Sequence, residues 1–367
     1  MNDHPEEIYQ LAVLLVPGIG WSLARNLLHQ FHSATGIFHA PFDALRTVPG
    51  IGMKSAKSIV HFNDFDPLYR EMDFMVRENI RLIFLSNPAY PIRLKANPDA
   101  PIALFVKGDG PLEHRRMIGV VGTRKNSVEG LELCERLVTD LAPNHVVIIS
   151  GLAYGIDAIA HSTALKHGIS TTAVVAHGLD RTYPFRHRKL ANDMLHAGGQ
   201  IISECMSGIL PNRENFPKRN RIVAGLVDAL IVIQSPVAGG SMITADMAFG
   251  YNREVMAFPG SVSDPLFGGN HSLIKSNRAH LIESSDDVVR IMNYDLVKSN
   301  KAQQTLLLDL REELIEIVQL LRNHGTMEID ALIRMTGRSP AKMAELMFEL
   351  EINDHVRSLP GKCYRLK

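Results

Sequence analysis

Residues 118–124 read Ile-Gly-Val-Val-Gly-Thr-Arg, a short apolar run that ends in a glycine turn. Similar apolar runs follow at 146–149, 172–175, 201–202, 230–233 and 255–258, with helical segments between them. Short strands that alternate with helices indicate right-handed crossovers and a parallel, doubly wound sheet. The runs at 81–85 and 103–106 are expected to add strands before the first crossover. The sequence therefore predicts an α/β fold.

The turn after the first crossover strand carries Gly122, Thr123 and Arg124. In doubly wound sheets, ligands bind beyond the carboxyl ends of the strands, where helix N-termini favour anions. An arginine guanidinium can bind a phosphate through two N–H groups. The third glycine of a dinucleotide fingerprint is missing, and no Gly-Lys-Ser/Thr follows. We therefore predict an anion-binding turn and no nucleotide cofactor.

Residues 213–221 read Arg-Glu-Asn-Phe-Pro-Lys-Arg-Asn-Arg and bring four cations and one aromatic ring together within nine residues. The chain has 39 basic and 39 acidic residues, so contact with nucleic acid has to be a local patch. The cations suit the phosphates of a single strand, and the ring of Phe216 suits a stacked base. A solvated basic turn with Phe216 in the core fits the residues equally well.

A second glycine turn, at residues 238–241, follows the run 230–233 and opens another helix. The backbone amides near Gly240 and Ser241 are candidates for an anion nest, although an ordinary glycine turn is the alternative. Because the basic cluster also follows a strand, three turns are expected to meet along one edge of the sheet.

Residues 1–70 contain an internal repeat, in which Val-Pro-Gly-Ile-Gly at 16–20 recurs at 48–52. Each copy leads into a helix, which predicts a pair of helix-hairpin-helix units. Their amides can hold a DNA phosphate. Because the first copy carries little charge, we favour a packing role. Residues 75–292 form the predicted sheet domain.

The end of the chain predicts a linker and a small domain. Residues 293–309 are polar, and 310–367 show three amphipathic helices and a terminal hairpin, which suggests a winged helix. Its third helix carries more acid than base, so protein contact or packing is favoured over a DNA groove. A transcription regulator that uses this tail is a further possibility.

The composition argues against a disulfide-rich, zinc-binding, membrane-spanning or secreted protein. The three cysteines are far apart, which favours neither disulfides nor a zinc site, and we infer no metal. No apolar run of about 18 residues predicts a membrane span, and the acidic start is unlike a signal peptide. We therefore expect a cytoplasmic protein without membrane contact.

Asp157 and His161 are four residues apart and could be an acid/base pair, but such a pair more often pins a helix.

The middle of the chain resembles the DNA-processing protein A family (DprA, also called Smf). The resemblance covers residues 75–290 and rests on the order and spacing of several motifs. They are Gly-Val-Val-Gly-Thr-Arg at 119–124, Ser-Gly-Leu-Ala-Tyr-Gly-Ile-Asp at 150–157, Gly-Leu-Asp-Arg-Thr-Tyr-Pro at 178–184, Phe-Pro-Lys-Arg-Asn-Arg at 216–221, Gly-Ser-Met-Ile-Thr-Ala at 240–245, Phe-Pro-Gly at 258–260 and Gly-Asn at 269–270. Residues 273–279 depart from the shorter glycine turn of many members, which affects the expected dimer surface.

The resemblance implies an extended Rossmann-like domain that binds single-stranded DNA as a homodimer and loads RecA recombinase onto it during natural transformation. It implies no catalysis and no cofactor, with single-strand-binding protein as a further partner. Carried over residue by residue, the resemblance implies a DNA site at Arg124, Arg213, Phe216, Arg219, Asn220 and Arg221. From the charges we expect Arg124, Arg213, Lys218 and Arg221 to hold phosphates and Phe216 to stack a base. The predicted site comprises Gly122, Thr123, Arg124, Arg213, Phe216, Lys218, Arg219, Asn220, Arg221, Gly240 and Ser241.

One enzyme class competes with this interpretation. Nucleotide N-glycosidic hydrolases of the lysine-decarboxylase-like kind use a similar scaffold and carry Pro-Gly-Gly-x-Gly-Thr followed by a glutamate. Here residues 236–244 read Pro-Val-Ala-Gly-Gly-Ser-Met-Ile-Thr, which lacks the third glycine, and Asp246 is the nearby acid.

Overall fold

The computed structural model describes residues 4–294, 311–353, 355–359 and 362–366. The chain divides into two compact units, Met1–Leu296 and Val297–Lys367. All but two residues of the predicted linker lie outside the described residues. The domain boundary predicted near residue 70 falls within the first unit.

A nine-stranded sheet organises the first unit, in the order β1-β2-β6-β5-β4-β3-β7-β8-β9. Its strands are β1 Ile80–Phe84, β2 Ala103–Lys107, β3 Met117–Val121, β4 Val147–Ser150, β5 Thr171–Val175, β6 Gln200–Ser203, β7 Ala229–Val232, β8 Glu254–Ala257 and β9 His280–Leu281. Strands β3 to β9 pair in parallel, whereas β2 joins both β1 and β6 antiparallel. The predicted doubly wound, mostly parallel sheet is confirmed.

Helices cover both faces of this sheet. They are α7 Ile92–Lys95, α8 Val128–Asp140, α9 Ile156–Lys166, α10 Arg188–His196, α11 Asn215–Leu226, α12 Gly240–Gly250, α13 Gly268–Lys275 and α14 Ser285–Ile291. The chain order reverses at β3, which lies between β4 and β7. In this register Val121 pairs with Val232, so the carboxyl ends of β3 and β7 are level. A crevice therefore opens between them, where ligands of such sheets bind.

The helical N-terminal region confirms the repeat. It comprises α1 Glu6–Leu15, α2 Trp21–Phe31, α3 Ala34–His39, α4 Phe42–Arg46, α5 Met53–Val60 and α6 Asp66–Arg77. Gly18 and Gly50 have positive φ values in equivalent turns. A Cβ at Gly50 would lie 2.7 Å from Leu23, so the second turn packs against the helix of the first copy.

The N-terminal helices share a buried apolar core with one face of the sheet. Two polar contacts add to this packing. Arg25 donates to the carbonyl of Asn97 over 3.0 Å, and buried Glu71 accepts from the amide of Ser207 over 2.9 Å. The segment that follows β6 is thereby held against the helical region.

The second unit is a winged helix, as predicted. Its helices are α15 Glu312–His324, α16 Ile329–Thr336 and α17 Pro340–Ile352, and its strands are β10 Met327–Glu328, β11 Val356–Leu359 and β12 Cys363–Leu366. Strand β12 pairs antiparallel with both others. The structure describes no helix long and apolar enough to cross a membrane.

Asn270 fixes the ends of β7 and β8. Its buried amide nitrogen donates to the carbonyls of Val232, Ile233 and Phe258 at 2.9–3.0 Å, and its oxygen accepts from the amide of Ser235 at 2.9 Å. These backbone groups lie where the strands leave the sheet. One side chain therefore sets the path of the turn that follows β7.

We expect Asn270→Ala to lower the free energy of unfolding by about 3 kcal/mol, because each buried group left without a partner costs about 1–3 kcal/mol. Urea unfolding followed through the fluorescence of Trp21, in the same unit, measures the change. Asn192→Ala, at an exposed position of α10, is the control. Equal midpoints for the two variants would contradict the assigned role of Asn270.

Candidate nucleic-acid interface

An open groove of 630 Å³ lies at the carboxyl edge of the sheet. It brings together the turns after β3, β4 and β7 and the segment that leads into α11. Its polar and aromatic lining comprises Thr123, Arg124, Asp157, Tyr183, Arg213, Phe216, Arg219, Asn220, Ser241 and Thr244. Two of the three turns predicted to meet at this edge, those after β3 and β7, line the groove, and the basic cluster reaches it as a helix.

The closest pairing of charge and ring in this groove is between Arg124 and Phe216. The Arg124 guanidinium carbon lies 5.0 Å from the centre of the Phe216 ring. Arg124 is exposed and Phe216 is half-buried, so both reach solvent in the groove. At this distance the cation is attracted to the ring face. The Arg124 cation therefore lies over the Phe216 ring, and both groups border the same groove.

Tight backbone packing positions Arg124. The amide of Thr123 donates to the carbonyl of Gln234 over 2.7 Å, and the carbonyl of Thr123 accepts from the amide of Ile156. A Cβ at Gly122 would overlap Ile156 and the Gln234 carbonyl, so only glycine allows this approach. Gly122 and Thr123 therefore hold the turn in place, and the Arg124 side chain projects from it.

The basic cluster is a helix rather than a turn. Residues Asn215–Leu226 form α11, so the expectation that residues 213–221 make up a loop is wrong. The apolar run 222–226 continues the helix and is buried, which explains why the basic segment joins it without a break. A helical period separates the cluster into side chains that face the groove and side chains that face elsewhere.

Arg219 is buried beneath the groove. Its guanidinium donates to the carbonyl of Val174 and fills the space next to Gly151. Asp157 lies close by, where it accepts from the amides of Gly151 and Ala153 at 3.2 and 3.3 Å. Burial lowers the pKa of Arg219 and raises that of Asp157, and the attraction between the two charges opposes both shifts.

Arg221 faces away from the groove and is also buried. Its guanidinium pairs with Glu204 and donates to the carbonyl of Asp99. Burial raises the pKa of Glu204, and the charge on Arg221 opposes that shift. Because these internal partners occupy its guanidinium, we do not include Arg221 among the phosphate contacts. Lys218 is exposed but lines a different groove.

The glycine turn after β7 closes the far side of the groove. Gly240 is exposed and is the first residue of α12. Its carbonyl accepts from the side-chain nitrogen Nδ2 of Asn220 over 3.5 Å. Ser241 is buried, and its hydroxyl donates to Ser235 Oγ over 2.7 Å. The hydroxyl of Ser241 therefore holds the turn together, while Gly240 leaves the helix N-terminus open.

Sequence reasoning did not identify Tyr183, whose ring centre is 6.1 Å from that of Phe216. Its backbone amide donates to His177 Nε2 over 3.2 Å, and His177 Nδ1 contacts the carbonyl of Gly178 at 2.9 Å. Burial lowers the pKa of His177, in keeping with a neutral ring that accepts from Tyr183. The Gly-Leu-Asp-Arg-Thr-Tyr-Pro motif at 178–184 was the available signal.

Asp157 and His161 do not form an acid/base pair. His161 is buried, its Nδ1 lies 2.6 Å from the Thr171 hydroxyl, and burial lowers its pKa to about 3. Asp157 caps the turn after β4 instead. Asp157 therefore supports the start of α9, whereas His161 joins the middle of α9 to Thr171 of β5, and both roles are structural. No cluster of metal-ligating side chains occurs among the described residues.

The fold defines the class first: an extended Rossmann-like α/β protein with a helix-hairpin-helix region and a winged helix. Within that class, the chain belongs to the DNA recombination-mediator protein A family, whose profile matches residues 81–293. Profiles for a DprA winged helix domain and a helix-hairpin-helix motif match residues 302–362 and 10–67. Membership gives the chain a recombination-mediator role in DNA processing.

Individual relatives agree with this assignment. Protein Smf of Escherichia coli K12 is 32% identical over 80% of this chain and 79% of its own length. DNA processing protein DprA of Bacillus subtilis 168 is 35% identical over 76% of this chain and 94% of its own.

Two solved structures share the fold. DprA from Streptococcus pneumoniae superposes with a TM-score of 0.68 at 30% identity, over 79% of this chain and 98% of that one. The structure of DprA from Helicobacter pylori was solved to explain its single-stranded DNA binding mode. It superposes with a TM-score of 0.53 at 26% identity, over 59% of this chain and 97% of that one.

We expect Gly151→Ala to destabilise the first unit by about 1–3 kcal/mol, because the added methyl group overlaps the Arg219 guanidinium. Urea unfolding measures the loss. Gly250→Ala is the matched control, since a Cβ there meets no atom within 4 Å. If Gly151→Ala unfolds at the same urea concentration as Gly250→Ala, the packing of Arg219 against Gly151 is not the constraint we describe.

Proposed function

We propose that the groove at the carboxyl edge of the sheet binds single-stranded DNA. The observation that carries the proposal is the Arg124 guanidinium 5.0 Å from the Phe216 ring in an open groove. Proteins that bind single strands without sequence preference combine cations that follow the backbone with rings that stack the bases. Arg124 and Arg213 supply exposed cations here, and Phe216 supplies the ring.

The supporting electrostatics are local. Arg124 and Arg213 are exposed, whereas Asp157, the acidic residue in the described lining, is buried and accepts from two backbone amides. The start of α12 at Gly240 adds the positive end of a helix dipole. An anionic backbone therefore meets cations and helix amides along this groove.

The positions of the acidic residues argue against the nucleotide hydrolase alternative. Asp246, the acid that this alternative needs, is paired with Arg278 and does not line the groove. Buried Asp157 is occupied with the turn after β4. We therefore propose a binding function without catalysis, in keeping with the single-stranded DNA binding named for the H. pylori protein.

The finer role follows from the family. We propose that the protein works in the cytoplasm as a homodimer, that it receives incoming single strands during natural transformation, and that it loads RecA onto them in place of single-strand-binding protein. Family membership supports this role through the mediator function.

Arg124→Ala should weaken binding to single strands of any sequence. Because each phosphate contact to a single strand contributes about 0.7 to the slope of log affinity against log salt, the slope should become shallower by about 0.7. Fluorescence anisotropy with a labelled oligothymidine over a salt series measures both. Arg70→Ala, at an exposed site on α6 outside the groove, is the control. An Arg124→Ala curve that overlays the parent refutes this role.

Phe216→Ala should cost about 1–3 kcal/mol of binding free energy, the contribution of one stacked base. The salt slope should stay unchanged, because a neutral ring releases no counterions. Phe216→Tyr keeps a stacking surface and should keep most of the affinity. If Phe216→Tyr loses as much affinity as Phe216→Ala, the ring does not act by stacking.

RecA loading is tested with RecA and strands coated with single-strand-binding protein. The parent should shorten the lag in DNA-dependent ATP hydrolysis by RecA, and Arg124→Ala should not. A lag that the parent leaves unchanged would separate DNA binding from the mediator role and count against the latter.

A further inference from the structure

A second groove, of 460 Å³, lies on the opposite side of α11 from the first. Its walls come from the end of α1, the first hairpin, β2 and the segment after β6. The apolar residues Leu15, Trp21 and Ile209 line it, and each keeps more than 40% of its surface exposed. Three large exposed apolar side chains in one groove suggest a surface that takes a ligand.

Trp21 is the only tryptophan of the chain, and it stands at the first residue of α2. It is 41% exposed. The equivalent residue of the second repeat is Met53, which follows the second Gly-Ile-Gly turn and does not line this groove. The two repeats therefore differ at the position where an aromatic ring reaches the groove.

Helix α11 joins the two grooves. Phe216 and Asn220 face the first groove, whereas Asn215 and Lys218 face the second. A strand that leaves Phe216 has only the N-terminal end of α11 to cross, a helix about 10–12 Å across with its side chains. Arg213 lies at that crossing and is exposed.

The charges of the second groove suit a polyanion. Lys218 is exposed there. The acid in the lining, Glu204, is paired with Arg221, so the pair adds little net charge. A groove with an exposed aromatic ring, an exposed lysine and a neutralised acid has the composition of a single-strand path.

We propose that the bound single strand continues over the N-terminal end of α11 into the second groove, where a base stacks on Trp21 and Lys218 contacts a phosphate. This inference rests on the proposed function, because it extends the strand beyond Phe216. It assigns the N-terminal region a direct contact with DNA through a side chain rather than through the hairpin amides.

The fluorescence of Trp21 reports on this contact without a label. Oligothymidines from about 4 to about 16 nucleotides, the range of single-strand site sizes per binding fold, are titrated while anisotropy follows binding. Short strands should bind without changing the emission, and longer strands should quench it. Trp21→Ala should weaken binding of the longest strand about 5- to 150-fold, the range of one stacked base, and leave the shortest unaffected.

Two variants keep the test interpretable. Met53→Ala, at the same place in the second repeat, should bind every length like the parent, and Trp21→Phe should restore most of the affinity that Trp21→Ala loses. Unchanged emission while the longest strand binds fully would overturn the inference and leave the proposed function intact. Emission that changes with protein concentration in the absence of DNA would assign the groove to a second copy of the chain and also overturn it. No binding of any length would contradict both proposals.

Discussion

The buried guanidinium of Arg219 is the constraint on which the groove depends. Its hydrogen bond to the carbonyl of Val174 joins α11 to the carboxyl end of β5. The same guanidinium leaves room for nothing larger than glycine at position 151. Burial of a charge is costly without partners, and the Asp157 carboxylate offsets part of that cost. Because the side chain anchors the second turn of α11, the first turn is fixed with Phe216 facing the groove. The buried Arg219 thus sets the orientation of the solvent-facing side chain of Phe216.

The basic residues of α11 and its approach therefore have two uses. Arg219 and Arg221 are buried and donate hydrogen bonds inside the protein, while Arg213 and Lys218 remain exposed. The exposed cations of the groove at the sheet edge are Arg124 and Arg213, so a chain of zero net charge presents a local basic patch there. The other wall of the groove forms at β3, where the chain order reverses. There Gly122 and the Gln234 carbonyl bring the turns after β3 and β7 into contact.

Much of this was predictable from the sequence, and the exceptions have physical reasons. The strands were predictable because buried parallel strands are continuous apolar runs, and Arg124 because it follows a glycine turn at a strand end. The helical state of residues 215–221 was missed because Phe-Pro and a dense set of cations suggest a turn, whereas Pro217 lies in the first turn of α11, where the missing N–H costs nothing. The burial of Arg221 depends on Glu204 and Asp99, which are distant in sequence. The motif at 178–184 pointed to the segment of Tyr183 without showing that its ring meets Phe216, and the place of Trp21 in the second groove depends on tertiary packing.

The most direct test of the central claim is photocrosslinking of a bromodeoxyuridine-substituted single strand, followed by peptide mapping. The account predicts that the principal crosslinked peptides contain Phe216 or Tyr183, the rings of the groove at the sheet edge. Crosslinks confined to the winged helix, with none in residues 183–216, would contradict it.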